Sequence, residues 1–325
     1  MLKLRGDCWV ITDQAAGNQR QALALAEPLG LPIHHMQLEP KPPWSWLAPR
    51  FTVGAQLALS SAQEQRFAPP WPAVAVGCGR QSALYTRMLR QLSNGRSYTV
   101  QILDPRIDPA HWDMVIAPRH DQLSGPNVVQ PLGSLNPVDD DWLRDGREAD
   151  PGLAELPRPL VGVLLGGPRR GITFDEGYIE QLASQLLLRQ LAEGGSLLVL
   201  ASRRTPRSLV ERMRERLADA SGLVWAGPDD GGNPYPGVLG WADRLVVTPD
   251  SVNMLSEACA VGCPVQTLVL GNLPEKLARF HRALADAGYL YPLDTIAPAP
   301  ARPLRETAAI AAMLRERIAI RQANP

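Results

Sequence analysis

The segment Thr248-Pro249-Asp250-Ser251-Val252-Asn253, followed by Glu257, carries residue types that could hold an anionic ligand. It follows a short apolar run, so Asp250 and Ser251 fall where a strand ends and a helix begins. Free N–H groups at a helix start favour a phosphate. Asn253 and Glu257 are four residues apart and share a helix face. A carboxylate one turn into the helix can accept hydrogen bonds from two ribose hydroxyls. The same residues also suit a plain helix cap followed by a solvated glutamate. Two weaker clusters accompany this one. Gly166-Gly167 ends the run Leu160–Leu165, where glycine permits close backbone approach to a ligand or simply a tight turn. Ser202-Arg203-Arg204-Thr205 ends the run Ser196–Ala201, where arginine can meet a diphosphate through paired N–H donors or stay a solvated surface pair. Asn233 and Tyr235, in an Asn-Pro-Tyr-Pro turn, join them as binding candidates. All of these lie at the C-terminal ends of expected strands.

The first half offers a second set. Thr12-Asp13 and Gly17-Asn18 follow its first apolar run, and Gly79 and Arg80 follow another. Asp13 is the candidate general base; Gly17, Asn18, Gly79 and Arg80 are the acceptor-side candidates. Asp104 and Asp121 suit turn and cap roles. His120 is the best placed of five histidines. His34 and His35 are adjacent in a strand and point to opposite faces. Several chemistries lack their residues: Gly77-Cys78-Gly79-Arg80-Gln81-Ser82 misses the third glycine of a dinucleotide-binding turn and follows the third strand. The Tyr-x-x-x-Lys pair of short-chain dehydrogenases and the phosphate-loop, zinc-protease and serine-hydrolase motifs are absent. Cys8, Cys78, Cys259 and Cys263 show no metal-site spacing. The expectation is therefore no metal and no cofactor.

The elements that must position these residues alternate strand and helix. Expected strands are Cys8–Thr12, Ile33–Leu38, Ala73–Val76, Tyr98–Leu103, Met114–Ala117 and Asn127–Val129, with helices from about Asn18 to Leu29 and over Arg80–Leu92. Asn18 is the expected cap of the first helix. The second half repeats the rhythm with strands Leu160–Leu165, Ser196–Ala201, Leu223–Ala226, Arg244–Val247 and Val265–Leu270. Helices separate them, and a last helix runs from about Arg305 to Arg321. Such alternation implies parallel sheets, in which ligands bind beyond the C-terminal strand ends. Between Gly133 and Pro159 the pattern lapses into Asp, Pro and Gly, which suggests a linker or domain boundary with room for a short helix within it. A hydrophobic content of 45% gives both halves a core. Formal net charge is zero, without a basic excess to attract nucleic acid or an anionic membrane. The N-terminus reads as a strand, not a signal peptide, and no apolar run spans a bilayer. The expected compartment is the cytoplasm.

The stretch SRRTP and the stretch NPYPGVLGWADRLVVTPDSVNMLSEACAVGCPV resemble the nucleotide-sugar half of GT-B glycosyltransferases, in particular the lipid II-forming N-acetylglucosaminyltransferase. With TD-x-x-AGN-x-x-Q near the start, most of the chain resembles the bacterial branch of the mitochondrial fission (elongated mitochondria) family. That resemblance implies an α/β fold of two Rossmann-like parallel-sheet domains facing across a cleft. Residues 1–150 would form the acceptor-side domain and 151–300 the nucleotide-sugar domain. The helix in 301–325 would pack back on the first. It further implies a metal-independent glycosyltransferase that binds a nucleotide-diphosphate sugar, with Glu257 on the ribose. A non-catalytic scaffold of the fission family and a nucleotide-sugar epimerase are the alternatives. The first turn departs from the glycosyltransferase pattern, with one glycine and no histidine. The implied partners are the sugar nucleotide and an unnamed acceptor, with peripheral membrane contact left open.

Overall fold

A computed structural model describes residues 4–323. The chain divides into two compact units. One runs to Pro137 and resumes at Glu306; the other is Val138–Arg305.

The first unit contains, in chain order, β1 (Cys8–Thr12), α1 (Ala16–Ala26), β2 (Ile33–Gln37), α2 (Trp44–Leu47), α3 (Ser61–Arg66), β3 (Val74–Cys78), α4 (Arg80–Leu92), β4 (Tyr98–Ile102), β5 (Met114–Ile116) and β6 (Val128–Val129). Its six strands are ordered β2-β1-β3-β4-β5-β6 and pair in parallel. β1, β3 and β4 are buried at every position. β1 and β3 accordingly read as apolar runs, whereas β4 alternates and buries Thr99 and Gln101 by hydrogen-bonding them to Asp113 and the Gly79 carbonyl. One sheet face packs Val10, Val76 and Val100 against Leu25 of α1. The other face packs Trp9, Ile11 and Ala75 against Leu84, Tyr85 and Phe67.

The second unit begins with α5 (Asp140–Ala149). It continues with β7 (Leu160–Leu165), α6 (Glu176–Glu193), β8 (Ser196–Ala201), α7 (Arg207–Arg216), β9 (Gly222–Trp225), α8 (Tyr235–Trp241), β10 (Arg244–Val247), α9 (Val252–Val261), β11 (Val265–Thr267), α10 (Glu275–Asp286) and β12 (Tyr291–Pro292). Its strands lie in the order β12-β11-β10-β7-β8-β9, again all parallel. Val163, Val199 and Val246 meet Tyr178, Leu182 and Leu186 of α6 in one core.

The last helix, α11 (Thr307–Ala323), belongs to the first unit. Ile310, Leu314 and Ile318 enter the core that holds Val10 and Leu25. The Glu306 carboxylate accepts hydrogen bonds from the N–H groups of Leu132 (2.8 Å) and Gly133 (3.1 Å). The Thr307 hydroxyl donates to the Asn136 carbonyl at 2.8 Å. The apolar face and these two polar anchors together seat the helix.

Two expectations change. The stretch 133–159 contains both the division between the units and a short helix, α5. Asp139 accepts from the Trp142 N–H at 2.8 Å and caps α5. α5 packs closely on α8: a Cβ on Gly146 would lie 2.4 Å from the Pro236 carbonyl oxygen, and one on Gly240 would lie 2.7 Å from that of Leu143. The glycines that resemble a linker are the small residues that let two helices approach. The division therefore falls at Pro137, earlier than residue 150. Helix α1 also starts two residues sooner than expected. Gly17 lies inside its first turn, and Asn18 does not cap it; the N-cap is Ala15, which has no side-chain bond. The Ala15 N–H is instead taken by Asp13 Oδ1 at 3.0 Å.

Among the described residues the four cysteines are free, with Cys8, Cys78 and Cys259 buried. Burial pushes the Cys8 thiol up to about 12, which suits an inert core residue. No group of metal-ligating side chains occurs among the described residues, and none of their helices is long and apolar enough to cross a membrane.

Gly146→Ala should destabilise the protein by about 1–3 kcal/mol through overpacking against α8. Gly152→Ala, whose Cβ would meet nothing within 4 Å, should stay within about 0.5 kcal/mol of the parent. Urea denaturation of both variants checks this; equal effects would mean that α5 does not depend on α8.

Candidate functional site

The order β10-β7-β8 puts three loops side by side at one sheet edge: Thr248–Ser251, Gly166–Gly167 and Ser202–Thr205. The sequence candidates of the second half therefore do converge, and Asp250 is their hub. Its side chain is wholly buried. The carboxylate accepts from the Gly167 N–H at 3.1 Å, the Thr248 hydroxyl at 2.7 Å and the Arg204 guanidinium at 2.6 Å. A buried charge is tolerated only when paired and hydrogen-bonded in this way.

The surrounding bonds extend the web. Thr248 Oγ1 accepts from the Gly166 N–H at 2.8 Å. The Ser202 hydroxyl donates to the Gly166 carbonyl at 2.9 Å, and the Thr205 hydroxyl also reaches that carbonyl. The glycine pair is a steric requirement. A Cβ on Gly166 would sit 2.1 Å from Asp250 Oδ1, and one on Gly167 would sit 2.3 Å from the Arg204 carbonyl oxygen. The pair makes room for protein atoms of this rim.

Ser251 caps α9, its hydroxyl accepting from the Met254 N–H at 3.4 Å. Asn253 and Glu257 both lie in α9 at the spacing that gives them one face. Glu257 is not solvated. It is 3% exposed, and the Tyr235 hydroxyl donates to its Oε2. This bond ties the Asn-Pro-Tyr-Pro turn to α9. Asn233 is exposed, and its side-chain oxygen accepts from the Tyr235 N–H at 3.1 Å, which shapes the turn into α8.

Sequence reasoning missed two supports of this edge. Arg169 donates from NH1 to the Asp250 carbonyl at 2.8 Å, and the His281 ring bonds the Pro249 carbonyl at 2.9 Å. Burial lowers the His281 pKa, so the neutral ring is favoured, and a neutral Nε2–H donates to that carbonyl. Arg169 follows Gly166-Gly167 after a single proline, Pro168, and could have been grouped with it. His281 lies in α10, and nothing local connects it to Pro249. The chemical result is a rim where Arg169, Arg203 and Arg204 are exposed beside the start of α9, whose unsatisfied N–H groups carry partial positive charge. Such a rim suits an anion.

The first-unit candidates separate into two groups. β1 and β3 are neighbours, so the residues after them meet. Asn18 Nδ2 donates to Asp13 Oδ1 and Oδ2 at 3.0 and 2.9 Å. Gly79 has φ +93°, and a Cβ there would lie 2.6 Å from Asn18 Nδ2. Asp13, Asn18 and Gly79 thus form one contact, which explains the glycine on both counts. Arg80 goes elsewhere. Its guanidinium donates to the carbonyls of Ala48 (3.0 Å) and Ser45 (2.9 Å), and so it holds the loop around α2. Gly17 lies in helix and makes no turn. His120 is buried with its Nε2 3.6 Å from Asp121 Oδ1.

The family described as Mitochondrial fission ELM1 matches residues 16–318. A mitochondrial fission protein ELM1 of Arabidopsis thaliana is 31% identical over 286 residues, covering 79% of this chain and 66% of that protein. The chain thus spans just under two thirds of that relative's length. An uncharacterized protein of Rickettsia prowazekii is 24% identical over 296 residues, covering 79% of this chain and 81% of its own length. Among solved structures, MurG of Acinetobacter baumannii covers 98% of this chain with 94% of its own, at TM-score 0.51 and 14% identity. The UDP-GlcNAc 2-epimerase of Methanocaldococcus jannaschii covers 95% with 99% of its own, at TM-score 0.54 and 11% identity. Os79 of O. sativa in complex with UDP covers 97% with 94% of its own, at TM-score 0.51 and 14% identity. The fold is GT-B-like, built from two Rossmann-like parallel sheets.

Asp250→Asn removes the charge that Arg204 and the Gly167 N–H share. It should cost about 2–4 kcal/mol, the range for a broken buried charge network moderated by the exposed arginine. Ser251→Ala loses one cap and should cost about 1 kcal/mol. Chemical denaturation of the two variants gives the comparison; an Asp250 variant no worse than the cap variant would remove Asp250 as the hub.

Proposed function

The chain belongs to the mitochondrial fission ELM1 family, and from that premise we propose that its second unit binds a nucleotide-diphosphate sugar at the β10-β7-β8 edge. The supporting observation is one arrangement: exposed Arg169, Arg203 and Arg204 beside the start of α9, with buried Glu257 further along that helix. The arginines and helix N–H groups bind the diphosphate. Glu257 receives ribose hydroxyls. The Tyr235 hydroxyl holds its Oε2 in place, and a carboxylate has about four acceptor sites, enough for both. Ser251 and Asn253, at the first turn of α9, contact the phosphate or sugar.

The reaction this binding serves is sugar transfer. The bond between the anomeric carbon and the phosphate oxygen breaks, and its electron pair leaves with the diphosphate. An acceptor oxygen bonds the anomeric carbon and gives up its proton. Asp13 is the base proposed for that proton; its two oxygens are oriented by Asn18 and the Ala15 N–H. The positive rim neutralises the departing diphosphate without a metal ion.

A second reading keeps the fold and gives up turnover, leaving a scaffold for a protein partner, in line with the fission role in the Arabidopsis relative's name. The observation that favours it is the saturation of Asp250, Ser202 and Thr205 by protein partners. UDP-sugar epimerases occur among the structural neighbours, so product analysis must look for an inverted sugar as well.

Calorimetric titration with UDP, GDP, dTDP and CDP should show binding of at least one nucleotide. Glu257→Gln should weaken it about tenfold, the loss of one charge-assisted hydrogen bond. Absence of heat with all four ends the reading. Asp13→Asn should keep nucleotide binding and abolish transfer to any acceptor found; transfer at the parent rate would strike Asp13 from the mechanism.

A further inference from the structure

The neutral whole-chain charge hides a local imbalance. Between Glu39 and Asp104 lie seven Lys and Arg (Lys41, Arg50, Arg66, Arg80, Arg87, Arg90 and Arg96) against one acidic residue, Glu64. The same stretch contains an apolar outcrop. Among the described residues, five of the twelve exposed large apolar side chains lie between residues 46 and 57: Trp46 (75% exposed), Leu47 (43%), Phe51 (56%), Val53 (78%) and Leu57 (78%). Single exposed apolar residues are ordinary, but a cluster of this kind marks an interaction surface.

The outcrop is anchored from beneath. Ala48, Ala55 and Leu59 are buried in the core beside Trp9 and Tyr85. Arg80 holds the carbonyls of Ser45 and Ala48, and Arg87 NH1 holds those of Pro49 (2.8 Å) and Arg50 (2.9 Å). Trp44 Nε1 donates to the Val53 carbonyl at 3.0 Å. Leu59 and part of Trp44 pack inward with the small residues, while Trp46, Leu47, Phe51, Val53 and Leu57 turn to solvent. That is the reverse of what a soluble loop needs.

Arg87 also lines a cavity of about 330 Å³ together with Arg90, Gln91, Asn94, Gly95 and His111. Two arginines, a histidine and two amides lie in that lining; Arg90 also pairs through Nε with Asp113 Oδ1 at 3.4 Å, and its other N–H groups are not used in that pair. The cavity lies at the C-terminal end of α4, the end of the helix away from Gly79. Arg87 therefore joins this arginine-lined cavity to the apolar outcrop.

We propose that this face of the first unit docks on an anionic phospholipid bilayer. Trp46, Phe51, Val53 and Leu57 enter the interface, and the Arg87–Arg90–His111 cavity takes a lipid phosphate. Tryptophan and phenylalanine settle at the boundary between headgroups and acyl chains. Basic residues are drawn to anionic headgroups. The charge argues against a second copy of this chain, because a symmetric contact would bring like-charged surfaces together. The inference does not depend on the nucleotide reading.

The test is co-sedimentation of the full chain with vesicles of phosphatidylcholine alone and vesicles that also contain phosphatidylglycerol. The protein should sediment with the second and remain free of the first. The variant Trp46→Ser/Phe51→Ser/Leu57→Ser changes exposed positions and should keep its circular dichroism while losing at least about tenfold in binding. Arg90→Gln should lose about fivefold, the equivalent of one basic residue near an anionic surface. Equal binding to both vesicle types, failure to bind either, undiminished binding of the folded triple variant, or sedimentation as a dimer that the triple variant dissolves would each overturn the proposal.

Discussion

The carboxylate of Asp250 is shut off from solvent, and a charge in that position must be satisfied by protein groups or it will not be tolerated. Its partners come from three segments: Gly167 after β7, Arg204 after β8 and Thr248 after β10. One side chain thus fixes the relative position of three strand ends. The small residues follow from it, since Gly166 and Gly167 stand where any Cβ would strike Asp250 or Arg204. The start of α9 follows too, because Asp250 immediately precedes the Ser251 cap.

This organisation separates residues that build the rim from residues that face outward. Asp250, Thr248, Ser202 and Thr205 use their polar atoms on one another and on Gly166. Arg169 and Arg204 each bond the Asp250 segment and stay exposed at residue level. An arginine presents five N–H donors, so these two can serve the web and an anion together. Glu257 is a different case: a buried acceptor held by a tyrosine hydroxyl. The first unit uses similar physics at smaller scale, with Asp13, Asn18 and Gly79 in mutual contact where β1 and β3 end.

Charge distribution matters more than net charge in this chain. A total of zero is the sum of a basic stretch between Glu39 and Asp104 and compensating acids elsewhere. Screening limits electrostatic influence to about 10 Å at ordinary ionic strength. A surface therefore responds to its own cations and not to carboxylates at the far end of the chain. Arg80 and Arg87 show that some of these cations also act as struts, through bonds to main-chain carbonyls of the 44–50 segment.

Strand and helix alternation was largely legible, because most of these buried parallel strands leave apolar runs, whereas the short α2, α3 and β12 carry too little pattern to read. Leu160–Leu165 and Ser196–Ala201 occupy the residues their runs indicated. The gathering of Asp250, Gly167 and Arg204 was also legible, since parallel topology puts loops after successive strands on one edge. What those residues do there was not. Whether a glycine pair admits a ligand or a neighbouring carboxylate depends on atoms more than eighty residues away in sequence. Glu257 read as solvated or ribose-binding, and its burial against Tyr235 removes only the solvated reading. The glycines of α5 looked like a linker because composition carries no record of the helix that packs on them. By itself the sequence determined periodicity, strand ends and the residue types available at each loop, all local properties of the chain. Only tertiary structure decided which polar atoms satisfy one another, because burial removes water as the alternative partner and makes those distant pairings obligatory.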